Sequence, residues 1–265
     1  MPQHVERMLP LRDGRFNVQL VEGGAGPNLV FLHGAGGFTG WTPFLDQLAE
    51  NYYVYAPAHP GMSKSDGLEN LDDLWDLTLY YEELLQELGL EQTYVIGHSY
   101  GGMVAAELTA QCPTRVSRLI LVASLGLWLD DNPIADFFVL TPSESAGLIW
   151  HDPQSEIAKA YRTVPEDPHE KMEANLDRTR TLAAAGKFIW PIPDKGLAKR
   201  AHRITMPTLL IWGDSDGIVP PAYGNAFQEL LPNAKLKVIK NCGHLPQIEQ
   251  AEEFLSLVSS FLPVS

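Results

Sequence analysis

Val95-Ile96-Gly97-His98-Ser99-Tyr100-Gly101-Gly102 follows an apolar run and precedes Met103-Val104-Ala105-Ala106-Glu107-Leu108, which has the composition of a helix. One serine therefore stands between glycines where a strand turns into a helix. A chain that reverses this sharply leaves its central residue in a strained conformation with the side chain thrust outward. The strand and helix on either side then come close, so the flanking positions must be small. The first amides of the helix point toward the serine, where they favour developing negative charge. The pattern Gly97-x-Ser99-x-Gly101 in a strand–turn–helix setting is thus the signature of a nucleophile turn.

Outward from this turn, strands and helices alternate. Asp13-Gly14 is a hairpin signal between Met8-Leu9 and Phe16-Val18-Leu20. Leu29–Leu32 and Tyr53–Ala56 are short apolar runs expected as buried strands, as are Thr93–Ile96 and Leu119–Ala123. Thr42-Pro43 predicts a helix start. Leu74, Leu77, Tyr81, Leu84, Leu85 and Leu88 recur at helical spacing before Gly89. The alternation resumes with strands at Pro207–Trp212 and Leu236–Ile239 and helices at Tyr223–Leu231 and Glu252–Phe261. This order predicts a mostly parallel sheet covered on both faces. Residues 125–203 break the rhythm with helical patches separated by prolines, a pattern expected of a helical insertion. The core is expected at 1–124 and 204–265.

A serine hydroxyl needs a base. Of eight histidines, His244 lies in Asn241-Cys242-Gly243-His244-Leu245-Pro246, after the last strand, where α/β active sites form. His33 and His59 lie in loops that could support the site, and His98 lies inside the turn. His4, His151, His169 and His202 read as surface or insertion residues. The base in turn needs an acid. Asp216, in Gly213-Asp214-Ser215-Asp216-Gly217, is the expected acid, with Asp214 in reserve. The oxyanion donors are expected to be the backbone N–H groups of Tyr100 and of Ala35, with Gly36 in reserve, from His33-Gly34-Ala35-Gly36-Gly37. No metal-ligand spacing occurs among the histidines, so neither metal nor cofactor is expected.

Composition narrows the partners. The net charge of −14 disfavours phosphate backbones and anionic membranes. The two cysteines, Cys112 and Cys242, are expected to be separate thiols. There is neither an apolar leader nor a membrane-length apolar run, so a cytoplasmic protein with a small-molecule substrate is expected. Nothing indicates the oligomeric state.

The segments HGAGG, GHSYGG, WGDSDGIVP and GHLPQIEQAEEF, in this order, resemble those of the α/β-hydrolase superfamily over nearly the whole chain. The resemblance implies an eight-stranded, mostly parallel sheet flanked by helices, with residues 125–203 as a helical lid, and a cofactor-free triad in the order Ser99, Asp216, His244. Within the superfamily, Ser99 disagrees with the aspartate of haloalkane dehalogenases and epoxide hydrolases, and with the cysteine of dienelactone-hydrolase relatives. Leu245 stands where carbon–carbon hydrolases of meta-cleavage products commonly carry tryptophan and hydroxynitrile lyases lysine. The first expectation is therefore a carboxylesterase acting on small or medium hydrophobic acyl or aryl esters. The alternatives are a meta-cleavage-product hydrolase, a hydroxynitrile lyase or a ligand receptor on the same fold. A carbon–carbon hydrolase would use a lid arginine for the substrate carboxylate, and Arg178 or Arg180 could serve, although a solvated helix face would explain both. Pocket walls are expected among His33, His98, Phe137, Phe138, Trp150, Trp190, Val219 and Leu245, with plain packing as the competing explanation for the aromatic residues.

Overall fold

The computed structural model describes residues 4–264. The expected core segments include residues 1–3 and 265, which lie outside the described residues. The Asp13-Gly14 turn joins β1 (His4–Leu11) to β2 (Phe16–Gly24) in antiparallel register, with Leu11 opposite Phe16. Arg12, Asp13 and Gly14 all take left-handed φ angles, 48°, 55° and 83°, so a glycine and an aspartate suit the turn. Six parallel strands follow: β3 (Asn28–Leu32), β4 (Tyr53–Pro57), β5 (Thr93–His98), β6 (Val116–Val122), β7 (Thr208–Gly213) and β8 (Ala234–Ile239). The sheet order is β1-β2-β4-β3-β5-β6-β7-β8, with β2 antiparallel to both neighbours. This is the expected eight-stranded, mostly parallel sheet.

The near-continuous apolar strands follow from burial on both faces. Val30, Leu32, Leu119 and Leu121 face one side, into a core shared with α2 (Leu74–Glu87), α3 (Tyr100–Gln111) and α8 (Ala222–Leu230). Leu29, Phe31, Ile120 and Val122 face the other, against α1 (Pro43–Leu48) and α10 (Ala251–Phe261). Alternate residues thus serve alternate layers. Asp73 caps α2 through the N–H groups of Trp75 and Asp76, and Gly89, with φ of 69°, follows the helix end. Thr42 stands at the N-cap of α1, but its hydroxyl makes no capping bond and is buried without a partner.

Between β6 and β7 the chain forms α4 (Pro142–Ile149), α5 (Glu156–Tyr161), α6 (Pro168–Ile189) and α7 (Leu197–Arg200), with no strand among the described residues. Pro142 and Pro168 each open a helix behind a capping side chain, Thr141 or Asp167. The order of strands reverses between β3 and β5: the chain leaves β3 for β4 on one side and returns to β5 on the other. Loops at the carboxyl ends of these two strands diverge and leave a crevice between them. Ser99 and the glycine loop after β3 both lie there.

Candidate active site

Ser99 sits between β5 and α3 with φ of 53° and ψ of −114°, the strained conformation the turn demands. Its N–H donates to Val122 at 2.9 Å, and its carbonyl accepts from Met103 and Leu125, both at 3.1 Å. The neighbouring glycines are required by space. A Cβ on Gly97 would lie 2.4 Å from the Gly101 carbonyl oxygen, and one on Gly101 would lie 2.2 Å from that of Leu32.

Two distant loops complete the arrangement. The Nε2 of His244, in the loop after β8, lies 2.9 Å from Ser99 Oγ. Its Nδ1 lies 2.8 Å from Asp216 Oδ2, in the loop after β7. Asp216 Oδ1 accepts the N–H groups of Ile218 and Val219, both at 2.9 Å. The carboxylate is therefore held in one orientation. It accepts the hydrogen bond of the His244 Nδ1–H and leaves Nε2 free to accept from Ser99. Ser99, Asp216 and His244 are all buried. Asp214 faces elsewhere, accepting from Ser215 Oγ at 2.8 Å and from the Cys242 N–H at 3.3 Å. Burial opposes its charge, but hydrogen bonds from Ser215 and from backbone N–H groups prevail and hold its pKa below the usual carboxylate value. Of the two aspartates, the structure brings Asp216 to the histidine.

The glycine loop passes over the serine: a Cβ on Gly34 would come within 3.3 Å of Ser99 Cβ and 2.8 Å of His98 Nδ1. Ala35, next in the loop, is buried, and Gly36 beside it is exposed. The N–H of Tyr100 opens α3, where amides lack partners within the helix. A buried network holds the loop from beneath. The His59 N–H donates to His33 Nε2 at 3.2 Å, His59 Nε2 donates to the His33 carbonyl at 2.8 Å, and the Tyr81 hydroxyl donates to His59 Nδ1. Burial drives the pKa of His59 down to about 4 and that of His33 well below its ordinary value. Both histidines are neutral scaffolding at neutral pH.

The remaining candidates for a pocket divide. His98 donates from Nε2 to the His244 carbonyl at 2.8 Å, and burial lowers its pKa to about 3. Val219 is fully buried, and its carbonyl accepts from Trp212 Nε1 at 3.0 Å. Trp150 and Leu245 belong to one small buried cluster with Ala146 and Ala158. These four side chains, expected at a pocket wall, are taken up by packing or hydrogen bonding. The ring of Tyr100 also lies in the core, edge-on to His59. Phe137 and Phe138 stack at 4.6 Å, and Phe138 meets Trp190 edge-on at 5.6 Å. Phe138 and Trp190 line a cavity of about 320 Å³ with Val139, Leu182, Ala183 and Gly186, and that lining includes none of Ser99, Asp216 or His244. A second cavity, of about 670 Å³, lies between the amino ends of β6–β8 and the carboxyl-terminal segment, far from the serine. Arg178 is exposed, and Arg180 is 73% exposed and 3.6 Å from Asp177, so neither is drawn inward. Thr181 of the same helix does reach the site loop, because a Cβ on Gly37 would lie 3.4 Å from its methyl group.

Sequence patterns gave no hint of what grips the histidine loop from outside. The N–H of His244 donates to the Ile149 carbonyl at 2.6 Å, and the N–H of Gly243 to Glu249 Oε1 at 2.9 Å. A backbone carbonyl carries no residue-type signal. Glu249, five residues after the histidine, was legible only as part of the short motif around it. Among the described residues no cluster of His, Cys, Asp or Glu could hold a metal ion, and no helix is long and apolar enough to cross a membrane. Cys112 and Cys242 are both free thiols.

Fold and site define an α/β hydrolase. Residues 29–257 match the model of the Alpha/beta hydrolase family, and the chain belongs to it. A 2-hydroxy-6-oxononadienedioate/2-hydroxy-6-oxononatrienedioate hydrolase 2 of Pseudomonas putida is 31% identical over 97% of this chain and 96% of its own. A 2-hydroxy-6-oxo-6-phenylhexa-2,4-dienoate hydrolase of Burkholderia cepacia is 27% identical over 93% of this chain and 91% of its own. The solved 2-hydroxy-6-oxo-6-phenylhexa-2,4-dienoate hydrolase of Rhodococcus sp. strain RHA1 has the same fold, with a TM-score of 0.75 at 22% identity over 98% of this chain and 99% of its own. The chain is a hydrolase. The names of its relatives favour the carbon–carbon alternative over the ester expectation.

Proposed function

We propose that the protein is a serine hydrolase of the meta-cleavage-product type, cutting the carbon–carbon bond beside the 6-oxo group of a 2-hydroxy-6-oxo-dienoic acid. The observation that carries the chemistry is the relay Ser99 Oγ–His244 Nε2 at 2.9 Å and His244 Nδ1–Asp216 Oδ2 at 2.8 Å. The substrate class is supported by relatives similar over nearly their whole length, such as the Pseudomonas putida hydrolase at 31% identity.

The steps follow from the leaving group. A carbanion at C5 is a poor leaving group unless its electrons can be delocalised. Moving the 2-hydroxy proton to C5 gives a 2-oxo-3-ene, which accepts those electrons when the C5–C6 bond breaks. His244 takes the Ser99 proton as the oxygen attacks C6. The N–H groups of Ala35 and Tyr100 hold the oxyanion. The C5–C6 pair leaves into the enone as a dienolate, which His244 protonates. His244 then activates water, which releases the carboxylic acid from Ser99. Residues 125–203 act as the lid, and no metal or cofactor enters any step.

Ester hydrolysis is the second reading, by the same residues with an alkoxide leaving. Leu245, where meta-cleavage-product hydrolases commonly carry tryptophan, and the outward-facing Arg178 and Arg180 favour it, because neither arginine is placed to hold a substrate carboxylate. Parallel assays decide. The purified protein is offered 2-hydroxy-6-oxo-6-phenylhexa-2,4-dienoate, followed by loss of its visible absorbance, and p-nitrophenyl acetate and butyrate. A kcat/KM for the keto acid at least about a hundredfold above those for the esters is expected. Turnover of the esters alone would overturn the carbon–carbon reading. Loss of neither activity in Ser99→Ala would overturn both.

A further inference from the structure

The end of α4 is stitched to both loops that carry the proposed acid and base. Its last carbonyls have no acceptor role left within the helix. Leu148 O accepts the N–H of Gly217 at 2.9 Å, beside Asp216, and Ile149 O accepts the N–H of His244. Approach this close needs glycine on the loops: a Cβ on Gly243 would lie 2.1 Å from Ile149 O, and one on Gly217 would lie 3.0 Å from Leu148 O. Two residues on, the N–H of His151 donates to Glu249 Oε2 at 2.9 Å, while Glu249 Oε1 accepts the N–H of Gly243 at 2.9 Å. His151 Nδ1 donates to Ser215 Oγ at 2.7 Å, whose hydroxyl passes to Asp214. The Glu249 carboxylate therefore closes a ring through Gly243, His244, Ile149 and His151. One oxygen holds the residue before the proposed base, and the other holds the segment after α4 that His244 itself leans on.

We propose that Glu249 is a positioning residue for His244, setting at once the seat of the insertion and the aim of the imidazole at Ser99. Neutral packing would not need a carboxylate here. Two N–H donors converge on its two oxygens from different segments, an arrangement that an amide cannot match, because it would turn an NH2 group on one of them. The consequence reaches beyond stability. A loosened ring lets the His244 backbone drift, and a drift of about 1 Å at a general base costs up to about a hundredfold in rate.

This inference rests on the serine–histidine–aspartate reading above, so the test separates the two. Wild type and Glu249→Gln are treated with a fluorophosphonate, and kinact and KI are measured per folded molecule, with folding checked by circular dichroism and thermal melting. The labelled residue is mapped by mass spectrometry. The downfield proton resonance of His244 Nδ1 is recorded for both. Labelling of wild type at Ser99, a kinact about 10- to 100-fold lower in Glu249→Gln with KI held within about threefold, and a shifted Nδ1 resonance are expected. His151→Pro removes one of the two donors. Trp150 before it is already extended, at ψ of 139°, as a residue before proline must be. That variant should also lower kinact, and the double variant should be no worse than the more impaired single one. Unchanged kinact and an unmoved resonance in Glu249→Gln would overturn the positioning role while leaving the triad reading intact. Wild type that is not labelled at Ser99 would overturn the triad reading, and the positioning role with it.

Discussion

Replacing Asp216 by asparagine tests the relay through a single atom. The two oxygens of Asp216 have unequal duties: Oδ1 accepts two backbone N–H groups at 2.9 Å and Oδ2 accepts His244 Nδ1 at 2.8 Å. An asparagine of the same shape keeps its oxygen where two donors converge and turns its NH2 toward His244. Nδ1 must then become the acceptor, the proton moves to Nε2, and Nε2 can no longer take the proton of Ser99. Tautomer inversion of this kind costs about 10⁴-fold in kcat, or about 5 kcal/mol of transition-state stabilisation. The flipped amide would restore the tautomer, but it leaves two buried N–H groups unpaired at about 1–3 kcal/mol each. Even at the low end, about 2 kcal/mol confines that form to roughly one molecule in thirty. The expected loss is thus about 10⁴-fold, with a floor near thirtyfold. Asp214→Asn, whose side chain meets Ser215 and Cys242 instead, should lose less than about tenfold. Steady-state kcat on the better of the keto-acid and ester substrates, with folding checked by circular dichroism, decides. A loss below about thirtyfold for Asp216→Asn, or a larger loss for Asp214→Asn, refutes the assignment.

Three further outcomes are expected. Gly97→Ala drives a methyl group to 2.4 Å from the Gly101 carbonyl oxygen and should cost at least about 1–3 kcal/mol by urea denaturation, whereas Gly36→Ala, with open space around it, should stay within about 0.5 kcal/mol. His59 and His98 have folded pKa values near 4 and 3, and His33 is also lowered, all below the unfolded value of about 6.5. The unfolded chain therefore binds more protons, and stability is lost as pH falls from about 6.5 toward those values, by up to about 1.4 kcal/mol per pH unit for each histidine. Urea midpoints at pH 7.5, 6.5 and 5.5 should decline, and His59→Gln should flatten the decline; a flat wild-type profile contradicts the neutral network. Leu245→Trp should lower stability by about 1–3 kcal/mol in a thermal melt, because Leu245 is buried in a small cluster with Trp150, Ala146 and Ala158 that a larger side chain would overfill.

What could be read from the chain depended on how local its physics was. Ser99 and Asp216 follow strands whose apolar runs are visible by themselves, and His244 follows a short alternating strand, Ala234–Ile239, so their placement at one end of the sheet required no knowledge of distant contacts. Gly97 and Gly101 were legible for the same reason. The choice of Asp216 over Asp214 was legible only in part, because both sit in one loop, and the N–H groups of Ile218 and Val219 that orient Asp216 are not residue types. The aromatic residues of the insertion were hardest. Trp150 and Trp190 stand near helix ends, where no periodicity tells inside from outside; one is buried in the cluster that holds Leu245 and the other is 52% exposed. His98 and the ring of Tyr100 were ambiguous because a strained turn follows no facing rule. The structure sends the first to the His244 carbonyl and the second into the core.

The same contacts bear on how one scaffold could serve either leaving group. Ester and carbon–carbon hydrolysis share attack, oxyanion and acyl release, and differ in what must be held beyond the acyl carbon. On the proposed reading, that part of the substrate is met by the insertion, since β-strand loops already supply the serine, the acid, the base and the expected oxyanion donors. The insertion touches the site at several points: the N–H of Leu125 donates to the Ser99 carbonyl, the N–H of Ala135 to the Ile218 carbonyl, Thr181 of α6 lies on Gly37, and Leu148 to His151 at the end of α4 lie on the acid and base loops. Arg178 precedes Thr181 by three residues and so lies one turn away on neighbouring helix surface. On the proposed carbon–carbon reading, a substrate carboxylate would recruit such a cation through the exposed amino-terminal part of α6, residues 168–180, whereas its carboxyl-terminal part is fixed in the core by Ala184, Ala185, Phe188 and Ile189. The end of α4 is fixed as well, tied as it is to Gly217, Gly243, His244 and Glu249. On the proposed reading, substitutions at Arg178 and Arg180 should change KM, and those around Glu249 should change kcat, in steady-state assays.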